Sequence, residues 1–172
     1  MSEKITAIYV KPEQKAEVID IDNSLESLQN AVGGYIETVY PFTDAVCIVC
    51  NEEGKMLGLP LNRAIYGVES DEIVDIIAGN FLVVYAPPNV DDFQSLPDEL
   101  IKRYKDMFEY PEQFARTPNG FVAFKMNDIS SEEITHLEEK KPHSNDKTNS
   151  DTNESMAPIV APQTHNIERT DR

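Results

Sequence analysis

Apolar and polar positions along the chain follow two periods, and their alternation predicts short strands interleaved with two helices. Ile5 to Val10 (ITAIYV) is a β-branched and aromatic run closed by Lys11-Pro12, and Ala16 to Ile21 is a second short strand, so the two predict a hairpin. In LESLQNAV, Leu25, Leu28 and Val32 recur at helical spacing; Ser24 is placed to accept from the free amides of the first turn, and Gly33-Gly34 to end the helix. Tyr35 to Tyr40 alternates with period two, Pro41 to Asp44 turns the chain, and Ala45 to Cys50 (AVCIVC) is apolar on both faces, as a central strand covered on each side must be. Asn51 to Gly54 has the composition of a tight hairpin loop, with Lys55 to Leu59 as the return strand.

Pro60 to Tyr66 reads as a short helical turn leading into an acidic loop. Ile73 to Ala78, the Gly79-Asn80 turn and Phe81 to Tyr85 read as a short segment followed by a buried strand that Pro87-Pro88 stops. Ser95, with Pro97 and Asp98 behind it, predicts the start of a second helix whose stripe is Leu100, Ile101, Tyr104, Met107 and Phe108. A last strand, GFVAF, is entered through Pro118-Asn119-Gly120. The sum is an α+β domain over residues 1–127, with a mixed, mostly antiparallel sheet of about five to six strands and two packed helices. From Asp128 to Lys141 a short frayed helix is expected, with Ser130 and Glu133 spaced as a capping box. Pro142 to Arg172 has too little apolar area to offset chain entropy and reads as a disordered tail. Its one apolar patch, Met156 to Pro162, is either a linear motif or an ordinary stretch of solvated tail.

Charge narrows the function classes. The 172 residues carry a net charge of −16, with −11 (10 basic, 21 acidic) up to Asn127 and −5 (5 basic, 10 acidic) after it. Binding to a phosphate backbone needs clustered Lys and Arg, and the densest cluster, Lys102, Arg103 and Lys105, is interleaved with Glu99, Asp106 and Glu109. No nucleic-acid partner is therefore expected. No apolar run approaches the roughly 20 residues that cross a bilayer, and the N-terminus MSEKIT lacks the pattern of a secretory signal. The expected location is the cytoplasm, where Cys47 and Cys50 are reduced thiols.

Candidate chemistry is sparse. Cys47 and Cys50 have CxxC spacing, but on a strand positions i and i+3 point to opposite faces, so the pair reads as two buried apolar residues rather than a zinc or redox site. All three histidines, His136, His143 and His165, lie beyond Asn127, which removes the commonest general base and zinc ligand from the domain. Asp20 and Asp22 have no calcium loop behind them. Neither a metal nor a cofactor is expected. Gly33-Gly34 follows a helix instead of preceding one, the reverse of a phosphate cradle. The remaining candidates are Asn62 and Arg63. A lone Arg in an acidic domain either pairs with a carboxylate such as Glu37 or serves a small anionic ligand, with the Gly33-Gly34 turn admitting that ligand to the backbone.

The stretches LQNAVGGYIE (Leu28 to Glu37) and CNEEGKMLGLPLNRA (Cys50 to Ala64), with the Asp75-Ile76-Ile77-Ala78-Gly79 turn, resemble the signature of the domain-of-unknown-function 3846 (DUF3846) family. The resemblance spans roughly Lys4 to Tyr85, and Ser95 to Phe114 is similar to extensions of some members. It implies a gene carried by a phage, plasmid or other mobile element and a product acting in a bacterial host cell, and it implies no activity. The expected function is that of a non-enzymatic accessory protein engaging a basic host protein through its acidic surface. The alternative is a module that binds or sequesters a nucleotide-type ligand at Arg63, Asn62, Gly33, Gly34 and Glu37.

Overall fold

In the computed structural model, which describes residues 3–127, β1 (Lys4–Val10) pairs antiparallel with β2 (Glu17–Asp22), as the hairpin pattern predicts. Three further strands complete a five-stranded sheet: β3 (Ile36–Val39), β4 (Val46–Asn51) and β7 (Phe81–Tyr85), in the order β2-β1-β7-β4-β3 with every pairing antiparallel. Two two-stranded ribbons stand beside it. One joins β5 (Leu61–Tyr66) to β6 (Ile73–Ala78), and the other joins β8 (Glu112–Thr117) to β9 (Gly120–Lys125). The fold is α+β with nine strands and two helices among the described residues.

Both faces of the five-stranded sheet are covered. Ala7, Cys47, Val49, Leu82 and Val84 face helix α1 (Leu25–Val32) through Leu28. Ile8, Val46, Ile48, Phe81 and Val83 face helix α2 (Asp98–Phe108) and the β5–β6 ribbon through Tyr104, Phe108, Ile65 and Ile77. An antiparallel sheet usually leaves one face to water. Here every residue of β4 is buried, which is why AVCIVC has no polar alternation.

α1 begins and ends as its sequence predicts. Ser24 accepts from the Ser27 amide at 3.2 Å, and Gly33 takes a left-handed conformation (φ 75°) with its amide on Gln29 O. α2 differs at its start. Pro97 is the N-cap and gives no side-chain bond, because Ser95 runs alongside β1, accepting from the Thr6 amide at 3.0 Å while Leu96 N donates to Thr6 O at 2.9 Å. That stretch of β1 lies beyond the three residues that pair with β7, so Ser95 and Leu96 fill an otherwise open edge.

Two further expectations are corrected. Lys55 to Leu59 is not a return strand: both edges of β4 are already taken by β3 and β7, and the chain instead folds into tight turns, with Leu57 N on Glu53 O and Leu59 N on Gly54 O. Pro60 to Tyr66 is not a helical turn but contains strand β5. Register shifts between Leu61 and Arg63 and between Ile65 and Tyr66 break the period-two signal on which a strand assignment depends. The last strand, GFVAF, is present as the start of β9, and it pairs with β8, which the sequence pattern did not signal, closing through Pro118 and Asn119 where Thr117 pairs with Gly120.

The described residues, 3–127, belong to one compact unit. The expected helix at Asp128 to Lys141, the three histidines and the Met156 to Pro162 patch lie outside the described residues.

Candidate functional site

Asn62 and Arg63, on the bulged start of β5, are both fully buried. The Asn62 side chain donates to Val10 O at 3.0 Å and to Gly79 O at 2.8 Å, tying the end of β1 to the β6–β7 turn, and its Oδ1 accepts from Arg63 Nη1 at 2.8 Å. Arg63 donates through Nε and Nη2 to Phe108 O at 3.3 and 3.0 Å, through Nη2 to Gln14 O at 2.7 Å, and through Nη1 to Asn62 O at 3.2 Å. A guanidinium has five N–H donors, and these five bonds use them all. Phe108 O lies at the C-terminal end of α2, where the helix dipole favours a cation. Burial lowers the guanidinium pKa to about 10, opposed by the field of Glu112, so the group stays protonated at neutral pH. Arg63 is thus a cation held by main-chain carbonyls, linking β5, α2 and the β1–β2 turn.

The other nominated residues stand elsewhere. Gly33 and Gly34 follow α1, where the group that approaches the backbone is the protein's own Asn51. Asn51 Nδ2 reaches Gly33 O at 3.2 Å and Val32 O at 3.4 Å, and its Oδ1 accepts from the Glu53 amide. A Cβ on Gly34 would lie 2.6 Å from Asn51 Nδ2. Glu37 is exposed on β3 and lines a small cavity of about 170 Å³ with Cys50, Asn51 and the Lys55–Asp75 ion pair. Arg63 and Glu37 form no ion pair.

A larger cavity, of about 370 Å³, lies between the β3–β4 turn, the end of β5, one face of α2 and the β8–β9 ribbon. Its aromatic lining comes from Phe42, Tyr66, Tyr104 and Phe108. Phe42 packs on Tyr104 with ring centroids 4.7 Å apart and on Phe108 at 6.3 Å. At one side Asp44 accepts from Arg103 Nη1 at 2.6 Å and from the Tyr104 hydroxyl at 2.9 Å. These two bonds hold the Asp44 carboxyl below its usual range, while burial and then Asp44 itself push the Tyr104 phenol well above its own.

Glu112, the first residue of β8, also lines this cavity and is only 8% exposed. Its Oε2 accepts from the Ala64 amide at 2.8 Å. Burial raises its pKa, against the lowering effects of that amide, Arg63 and Lys125. Tyr66 is raised too, by burial and then by Glu112 and Asp71. Lys125 Nζ donates to Met107 O at 3.4 Å.

Sequence reasoning missed Asp44, Tyr66, Glu112 and Lys125 as neighbours of one space. Tyr104 and Phe108 were visible on the helical stripe, but Glu112 is one of 21 acids in the domain and nothing in its flanking residues signals burial. Among the described residues no group of three or more His, Cys, Asp or Glu is arranged to hold a metal ion, and no helix is long and apolar enough to cross a membrane.

The fold and site define an antiparallel α+β domain that buries an arginine as an internal tie and opens an aromatic cavity beside a half-satisfied carboxylate. The chain belongs to the family described as Domain of unknown function (DUF3846), whose model matches residues 5–109. The match takes in both helices and the five-stranded sheet and stops short of Glu112. No curated protein and no solved structure matches the chain.

Proposed function

We propose that the domain is a non-enzymatic recognition module that docks a basic segment of a host protein, serving as an accessory factor of a phage, plasmid or other mobile element in the bacterial cytoplasm. The observation that carries this reading is a run of exposed carboxylates that stands beside exposed apolar side chains and the larger cavity. Of the ten basic residues up to Asn127, Arg63 is buried, and Lys11, Lys55, Arg103 and Lys105 are held in ion pairs with acids of the domain. Glu69, Asp71 and Glu72, at the tip of the β5–β6 ribbon, are exposed and form no ion pair among the described residues. Beside them Val68 and Tyr66 are exposed at 64% and 42% and line the larger cavity. A surface combining unpaired carboxylates with apolar side chains and a cavity suits a basic polypeptide, whose approach the net charge would steer. The alternative, a nucleotide-type anion at Arg63 and Asn62, would meet a guanidinium with no donor left to offer.

The test is retention from host lysate on the immobilised full-length chain. A basic protein should be retained at low salt and released as salt rises. Glu69→Lys, Asp71→Lys and Glu72→Lys together should weaken that retention at least about tenfold. Recovery of no basic protein, or retention indifferent to both salt and charge reversal, would overturn the reading.

A further inference from the structure

We propose that the cavity beside Glu112 is a binding site for the cationic end of a lysine or arginine side chain, inserted from the basic segment of the partner. This rests on the recognition reading above and gives it a chemical centre. Glu112 is more than nine-tenths buried, yet only Oε2 is hydrogen-bonded, to the Ala64 amide. Oε1 has no partner among the described residues. Every fully buried side-chain oxygen or nitrogen described does have one, so Oε1 is open to solvent, and the cavity is the space that Glu112 lines. A desolvated carboxylate with one open oxygen gains from an incoming cation what burial took from it.

The rest of the lining suits the same guest. Phe42, Tyr66 and Tyr104 offer aromatic surface to an alkyl stem and ring faces to a cation. Of the two basic groups at the cavity, Arg103 is paired with Asp44 and Glu99, and Lys125, the cross-strand neighbour of Glu112, donates to Met107 O. Neither forms an ion pair with Glu112. The volume, about 370 Å³, is at the small end of the roughly 300 to 1,000 Å³ typical of ligand sites, which fits one long side chain better than a nucleotide.

Titration of the isotope-labelled full-length chain with n-butylguanidinium and n-butylammonium tests the site, with pentanoate as the control of opposite charge. At least one of the two cations should give saturable amide shifts at Ala64 and Tyr66, and pentanoate should give none. Glu112→Gln keeps an acceptor for the Ala64 amide and should lose at least about tenfold in cation affinity, whereas Glu26→Gln, on the exposed start of α1, should lose nothing. If Glu112→Gln does not fold, Tyr66→Ala, which trims a partly exposed wall, should show the same loss. Equal binding of pentanoate, unchanged affinity in Glu112→Gln or in its substitute Tyr66→Ala, or no saturable shift with either cation would overturn the proposal. The two ideas fail separately. Partner retention that survives Glu112→Gln sinks the cavity but leaves the docking reading standing, while saturable binding of the cations with no basic partner recovered from lysate does the reverse.

Discussion

At the scale of single residues, the most informative side chain is Arg63, because its environment decides between two roles that its identity leaves open. An arginine for a ligand keeps donors free and faces a cavity. Arg63 faces carbonyls and spends every donor on them. Replacing it with Met would leave Phe108 O and Gln14 O without their donors in the interior, so Arg63→Met should destabilise the domain by more than about 3 kcal/mol in urea unfolding. Arg63→Lys should recover little of this, since an ammonium has three donors and cannot span the planar fork. A fully stable Arg63→Met variant would show that the buried network contributes nothing net. Glu112 presents the opposite case, with one oxygen satisfied and one open.

At the scale of elements, α1 is short, eight residues, and a helix of that length is marginal without tertiary support. It packs Leu28 and Val32 against the sheet and is closed at its C-terminus from outside, by Asn51 at the end of β4. The cap works only because Gly34 leaves room for the Asn51 amide. Gly34→Ala should therefore cost about 1 to 2 kcal/mol by displacing that side chain. Combined with Asn51→Ala the cost should be less than additive, because both substitutions remove the same contact. Additive values in a double-mutant cycle would mean that the cap and the glycine act independently. The register shifts in β5 belong to the same scale. They turn Asn62 and Arg63 inward together, which a regular strand with alternating faces could not do.

For the whole molecule, covering the central sheet on both faces puts Cys47 and Cys50 in opposite cores, and burial pushes both thiols up to about 11. In the unfolded chain a thiol titrates near about 8.5. Between those values the folded state holds protons that the unfolded state has released, so stability falls as pH rises. The thiol contribution should be fully present below about pH 8.5 and lost progressively towards pH 11, on the order of 3 kcal/mol for each cysteine. Unfolding curves measured over that range should lose the corresponding part of their pH slope in the double variant Cys47→Ala, Cys50→Ala. An unchanged slope would place the titration on other groups.

Local pattern was enough for every element whose signal is carried by its own neighbours: the β1–β2 hairpin, α1 with both caps, the buried runs of β4 and β7, and the stripe of α2. The α+β class and the antiparallel bias follow from them. Tertiary structure alone decided the rest, because each remaining feature depends on residues far apart in the chain. Whether Lys55 to Leu59 could pair depended on β7 already occupying the edge of β4. Pro60 to Tyr66 hid a strand because its bulges cancel the periodicity by which strands are recognised. The larger cavity joins Phe42, Tyr66, Tyr104 and Glu112 from four separate segments. Composition and periodicity record what each residue prefers; which preferences meet in one place, and which carboxylate loses its water there, is set only when distant segments pack.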